Sequence, residues 1–144
     1  SLFSAACRIG GIVAGMSRDD IEAVTIYGHR YGMAFQIVDD VLDVVASEAE
    51  LGKPSGHDMA EGIYTLPVIR ALAAGDGELA EALAAQDIEK ARKLVRAGSA
   101  VDDSLALARQ YAEEAQAALS TLPASDAADH LAKAAVGLVD AVTT

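Results

Sequence analysis

The most constraining feature of this 144-residue sequence is one long helical pattern that ends in a cluster of acids. Ser17 is a suitable N-cap, and Asp19 and Asp20 after it favour a helix N-terminus. From Ile21 to about Val45, apolar residues recur at helical spacing. The middle of this pattern is apolar on most sides, so it predicts a central helix rather than a surface helix.

The rest of the sequence predicts an all-α protein, a helical bundle. Apolar residues make up 52% of the chain and aromatic residues only 4%, and much of the apolar fraction is alanine and leucine, which favour helices. Glycines and prolines interrupt the pattern over 47–64, which predicts a loop. We expect a single unit without internal repeats. Further helices are expected over 1–16, 65–74, 77–85, 87–97, 101–121 and 125–142.

The charge balance limits the kinds of partner. Acidic residues outnumber basic ones by 22 to 11, so the formal net charge is −11. Nucleic-acid binding is not expected, because phosphate backbones require clustered Lys and Arg. No apolar run reaches the length of a membrane span and no signal peptide is visible, so we expect a cytoplasmic protein without a transmembrane segment. The chain opens at Ser1 directly in helix-compatible sequence, which we interpret as a cut start.

The acidic cluster DDVLD at residues 39–43 is the candidate functional site. Its first and last acids are four residues apart. On a helix this spacing places both on one face, about 6 Å apart along the axis. Such carboxylates repel one another unless a cation lies beside them, and their oxygens are natural ligands of Mg²⁺. A solvated acidic face is the alternative, but the flanking residues are apolar almost all round, which favours a metal site.

Three other features carry expectations of their own. Lys53 lies ten residues after Asp43, in a glycine- and proline-containing segment that allows it to return toward the acids. Its point charge suits a diphosphate oxygen, although taken alone it is an ordinary surface lysine. Tyr27 and Tyr31 are expected to pack in the core. The mixed-charge stretch over 89–93 is expected to be a solvated helix face.

Three runs of sequence together resemble the trans-isoprenyl diphosphate synthases, the family of farnesyl, geranylgeranyl and longer polyprenyl diphosphate synthases. They are GMAFQIVDDVLD at 32–43, LGKPSGHD at 51–58 and EGIYTLP at 61–67. Their order and spacing are similar to the second aspartate-rich region of that family. The opening residues 1–7 are similar to those that follow the family's Lys-Thr motif.

The resemblance implies a fold, a reaction and a metal. The fold is the helical bundle of isoprenoid and terpenoid synthases. The reaction is prenyl transfer, in which an allylic diphosphate condenses with isopentenyl diphosphate and pyrophosphate leaves. The resemblance also implies that Mg²⁺ is the cofactor and that Asp39, Asp40 and Asp43 hold it. Asp39 is the direct ligand, and the other two support it directly or through water.

The resemblance implies roles for four further residues. Lys53 contacts the allylic diphosphate, and Asp58 acts on it through ordered water. Phe35 and Gln36 face the reacting centre, where an aromatic face and an amide oxygen stabilise developing positive charge.

The sequence departs from the family pattern in two places. Ile63 stands where many members have a lysine, so one diphosphate contact is absent. The first aspartate-rich motif, the arginine pair after it and the Lys-Thr motif have no counterpart in residues 1–144. We therefore expect 1–144 to be the C-terminal part of a polyprenyl synthase domain, inactive alone, from a homodimeric parent protein. The alternatives are a class I terpene cyclase and a non-catalytic partner subunit of a heteromeric prenyl synthase.

Overall fold

The computed structural model of the chain describes residues 1–46, 56–75 and 77–143. These residues form eight α-helices and one short 3-10 helix, without strands, as the sequence predicts. The elements are α1 (Leu2–Val13), α2 (Arg18–Val45), α3 (His57–Ala60), α4 (Leu66–Ala73), α5 (Gly77–Ala84), α6 (Ile88–Ala97), α7 (Ala100–Ala118), the 3-10 helix η1 (Leu119–Thr121) and α8 (Asp126–Thr143). Within the described residues, the predicted helices are all present, and α3 is an addition inside the expected loop.

The helices gather in two compact units. Unit 1 comprises Ser1–Val38 and Leu107–Thr144, and unit 2 comprises Asp39–Ala106. Unit 2 is built largely from short helices, among which α4, α5 and α6 contact one another. Its core is formed by a cluster of buried apolar residues, namely Val44, Met59, Val68, Leu79, Ala82, Leu83, Ala91, Val95 and Ala100. No helix in the described part of the chain is long and apolar enough to span a bilayer.

In unit 1, a glycine lets α1 lie close against α2. A Cβ atom at Gly28 would lie 2.6 Å from the carbonyl oxygen of Phe3 and 2.8 Å from Sγ of Cys7. Any larger residue would push the two helices apart. The Cys7 thiol is half-buried in this contact, and burial raises its pKa.

The opposite face of α1 is apolar and exposed. Leu2, Ala5, Ala6, Ile9 and Val13 follow a helical spacing, and every one of them is exposed. The exposed fractions reach 84% for Leu2 and 82% for Val13. A helix that is apolar on both faces is typical of a position with packing partners on both sides. In the part of the chain that the structure describes, this second face stays exposed.

Four aromatic rings form a row in unit 1. Tyr27 stacks on Tyr31 with ring centroids 5.7 Å apart, and Phe3 lies 5.2 Å from both Tyr31 and Phe35. Tyr27 is buried, as predicted, and its hydroxyl donates a hydrogen bond of 2.9 Å to the carbonyl of Leu131 in α8. Phe35 is 41% exposed at the other end of the row. The row therefore joins α1 to α2 through Phe3, and its buried end joins α2 to α8.

Burial, followed by the neighbouring Tyr31 and Cys7, raises the pKa of Tyr27 to about 12. The folded state therefore holds this proton more tightly than the unfolded state, where a tyrosine titrates near pH ~10. The contribution of this pKa difference to the free energy of unfolding is complete below that pH and is lost as the pH rises toward 12. We predict that Tyr27→Phe lowers the free energy of unfolding by about 1 kcal/mol at pH 7, because the bond to Leu131 is lost.

The same substitution is expected to make the free energy of unfolding decrease less steeply above pH 10. Urea unfolding at pH 8, 10 and 11 measures both effects. Tyr64→Phe is the matched control, since Tyr64 is 42% exposed. If Tyr27→Phe loses stability above pH 10 as steeply as the unmodified protein, Tyr27 is not the responsible group.

Candidate active site

The acidic cluster occupies the last turns of α2, within unit 2. Asp39 is exposed and Asp40 is half-buried, whereas Asp43 is only 4% exposed. The helical spacing predicted for the first and last acids is present, because α2 continues to Val45. The three acids nevertheless differ in burial, so they can have different roles.

Asp43 caps the short helix α3. Its Oδ1 accepts a hydrogen bond from the backbone N–H of His57 at 3.2 Å, and its Oδ2 accepts one from the N–H of Asp58 at 3.3 Å. These are the first N–H groups of α3, and its own N-cap residue, Gly56, has no side chain to accept them. Asp43 therefore supplies from α2 the acceptor that an N-cap side chain normally provides.

Gly56 brings the chain back onto the end of α2. Its N–H donates to the carbonyl oxygen of Asp43 at 2.8 Å, and its φ of 72° is left-handed, a conformation that glycine adopts without strain. The chain that leaves α2 after Ala46 thus returns beside the acidic cluster at Gly56. Lys53 was predicted to lie in this return, but it falls outside the described residues.

Arg92 of α6 is a third component, and the sequence prediction for it is wrong. Residues 89–93 were expected to be a solvated face, but the Arg92 side chain is only 8% exposed. Its Nε donates to the carbonyl of Val44 at 3.1 Å and its Nη2 to that of Ala46 at 3.0 Å. The last carbonyls of a helix lack partners within the helix, and the guanidinium supplies them. Helical spacing is the signal that could have identified Arg92, because it lies four residues after Ile88 and three before Val95, on the buried side of α6.

The other predicted site residues are less enclosed. Phe35 and Gln36 are both exposed on the part of α2 that belongs to unit 1. Asp58 is half-buried and is held through its own N–H. Ile63 is 56% exposed, and its N–H donates to the carbonyl of Asp58 at 2.8 Å. The roles predicted for Phe35, Gln36 and Asp58 stay predictions.

The carboxylates at the end of α2 provide at most part of a metal site. Among the residues that the structure describes, no group of three or more His, Cys, Asp or Glu side chains is arranged to hold one. Both oxygens of Asp43 accept amide hydrogens. Mg²⁺ needs only one or two carboxylates when phosphates complete its coordination. Asp39 and Asp40 fit that requirement, and the metal roles of Asp39, Asp40 and Asp43 stay predictions.

We predict that Asp43→Ala destabilises the protein more than Asp39→Ala does. Removing the Asp43 carboxylate leaves two partly buried N–H groups without acceptors, which costs about 1–3 kcal/mol. Asp39 is exposed, so its truncation is expected to change stability by less than about 0.5 kcal/mol. Urea unfolding of the two variants gives the comparison. Equal losses of stability would contradict the capping role of Asp43.

Comparison with known proteins places the chain in a family. The family model described as polyprenyl synthetase matches residues 1–101. The chain is 38% identical over 141 residues to the probable hexaprenyl pyrophosphate synthase, mitochondrial, of Neurospora crassa, a match that covers 94% of this chain and 31% of that protein. It is 35% identical over 133 residues to heptaprenyl diphosphate synthase component 2 of Geobacillus stearothermophilus, covering 88% of this chain and 41% of that protein.

Solved structures agree with this result. The crystal structure of a polyprenyl synthase from Caulobacter crescentus CB15, complexed with calcium and isoprenyl diphosphate, matches with a TM-score of 0.88 and 37% identity. The match covers 96% of this chain and 45% of that chain, and it confirms the predicted fold. The chain thus spans less than half the length of these relatives. On sequence and fold together, the chain belongs to the polyprenyl synthetase family.

Proposed function

We propose that the chain is the part of a polyprenyl diphosphate synthase that carries one acidic half of the active site. The reaction is the condensation of an allylic diphosphate with isopentenyl diphosphate. The bond between the allylic carbon and the diphosphate oxygen breaks, the allylic carbon joins the double bond of isopentenyl diphosphate, and a proton and pyrophosphate leave. The observation that carries this proposal is the exposed Asp39 on a helix end that Asp43 and Arg92 hold in place.

The metal in this proposal is Mg²⁺. When bound, it neutralises the charge that develops on the departing diphosphate. Asp39 holds it directly, and Asp40 adds support directly or through water. Asp43 keeps the helix end and α3 together, since its oxygens are occupied by the N–H groups of His57 and Asp58. The relative from Caulobacter crescentus, named as complexed with calcium and isoprenyl diphosphate, supports a divalent cation beside a diphosphate.

Four residues are proposed to act on the substrate. Lys53 contacts the allylic diphosphate, and Asp58 reaches it through water. Phe35 presents an aromatic face, which its 41% exposure leaves available, and attracts the developing carbocation. The Gln36 amide oxygen stabilises the same charge. A closed, dry site strengthens these interactions.

The rest of the active site is proposed to lie in the part of the family fold that this chain does not span. That part would carry the first aspartate-rich motif and the contacts to isopentenyl diphosphate. The exposed apolar face of α1 supports this division, because such a face needs a packing partner. The parent protein is proposed to be a homodimer. A cytoplasmic location stays a prediction, since the relative from Neurospora crassa is named as mitochondrial.

We predict that Asp39→Ala in the full-length protein lowers prenyl transfer at least about 100-fold, because a direct metal ligand is lost. The assay incubates the protein with Mg²⁺, isopentenyl diphosphate and allylic primers, and measures the amount and chain length of the products. Glu113→Ala is the control, since Glu113 is an exposed acid in the interior of α7. Near-normal activity of Asp39→Ala would contradict the metal role.

The same assay separates the alternatives. A cyclised hydrocarbon released from the allylic diphosphate alone would favour a terpene cyclase. Activity that appears only after a second polypeptide is added would favour a subunit of a heteromeric synthase. The relative from Geobacillus stearothermophilus is named as one component of a heptaprenyl diphosphate synthase, which makes the second comparison worth including.

A further inference from the structure

Arg92 is a buried charge that touches the end of the acidic helix from a distant part of the chain. Three of its nitrogens donate hydrogen bonds: Nε to the carbonyl of Val44, Nη2 to that of Ala46, and Nη1 to Oε1 of Glu89 at 3.0 Å. The first acceptor lies in the last turn of α2 and the second directly after the helix. Glu89 is 69% exposed, so most of its charge is screened by water.

Burial of a guanidinium is unfavourable unless its donors are satisfied. Here the compensation comes mainly from backbone carbonyls at a helix C-terminus, where the helix dipole also favours a positive charge. An arginine suits this place better than a lysine, because its planar fork reaches two carbonyls at once. The arrangement therefore fixes the geometry of residues 44–46 specifically.

The stem of Arg92 also meets the returning chain. A Cβ atom at Gly56 would lie 2.7 Å from Cδ of Arg92 and 2.8 Å from Cγ2 of Ile88. The guanidinium thus holds the departing chain at Val44 and Ala46, and the stem packs against the returning chain at Gly56. Asp43 completes the connection through the N–H groups of residues 56–58.

We propose that Arg92 is a positioning residue for the acidic cluster, an inference that rests on the proposed function. It stops the last turn of α2 from fraying and fixes α3 against it, so that Asp39 and Asp40 keep the orientation that a metal ion requires. Helix ends fray readily without such partners. Arg92 itself touches neither metal nor substrate.

The test compares Arg92→Met, Arg92→Lys and the control Arg96→Met in the full-length protein. Arg96 is an exposed arginine one turn further along α6. Arg92→Met is expected to raise the Mg²⁺ concentration for half-maximal rate about tenfold, as loss of outer-shell partners does at other metal sites. Arg92→Lys is expected to raise this Mg²⁺ concentration less, because the positive charge remains and only one hydrogen bond to a carbonyl is lost.

Comparing the Mg²⁺ dependence of the rate with the KM for isopentenyl diphosphate distinguishes a positioning role of Arg92 from a general loss of folded protein. The KM for isopentenyl diphosphate is expected to stay within about twofold of the unmodified value, because those contacts are not affected. A purely structural defect would instead lower the amount of active protein and leave the Mg²⁺ dependence unchanged. That result, or equal behaviour of Arg92→Met and Arg96→Met, would overturn the proposal.

A second measurement does not depend on activity. Hydrogen exchange of the Ala46, His57 and Asp58 amides in the full-length protein is expected to accelerate in Arg92→Met and not in Arg96→Met. Unchanged exchange of these amides in Arg92→Met would overturn the proposed contact. If the unmodified full-length protein shows no prenyl transfer, the proposed function is overturned. The hydrogen-exchange rates still test whether Arg92 holds the end of α2.

Discussion

The carboxylate of Asp43, bonded to two backbone N–H groups of α3, is the interaction on which the candidate site depends. It joins the end of the acidic helix to the point where the chain returns. Arg92 strengthens the same junction from the other side by bonding to the carbonyls of Val44 and Ala46. With the helix end held in this way, Asp39 is left exposed at a fixed place on α2.

This arrangement gives different surroundings to Asp39, Asp40 and Asp43, which look equivalent in the sequence. Both oxygens of Asp43 accept backbone N–H groups, whereas Asp39 is exposed. Asp40 lies between these extremes, half-buried. A magnesium ion that shares its coordination with phosphates requires few protein ligands, so the capping role of Asp43 is compatible with a metal site at this helix end.

Much of the fold follows from local rules, which explains why the sequence predicts it well. Apolar periodicity and the Ser17 cap define α2, and Gly75, with a φ of 87°, marks the turn after α4. The prediction missed α3, because its cap is a residue of α2 rather than its own N-cap. It also misjudged Arg92, because the carbonyls that justify its burial come from a helix far away in sequence. Both errors concern contacts between elements, which no local pattern reports. The family runs over 32–43, 51–58 and 61–67 identified the acids, but they do not say which acid faces a metal.

The most direct test is a crystal structure of the full-length protein with Mg²⁺ and an unreactive analogue of an allylic diphosphate. The account predicts an oxygen of Asp39 at about 2.0–2.1 Å from a magnesium ion that also binds the diphosphate. It also predicts that Asp43 keeps its bonds to the N–H groups of His57 and Asp58. A structure in which Asp43 leaves these amides to bind the metal, or in which no metal lies at Asp39, would contradict it.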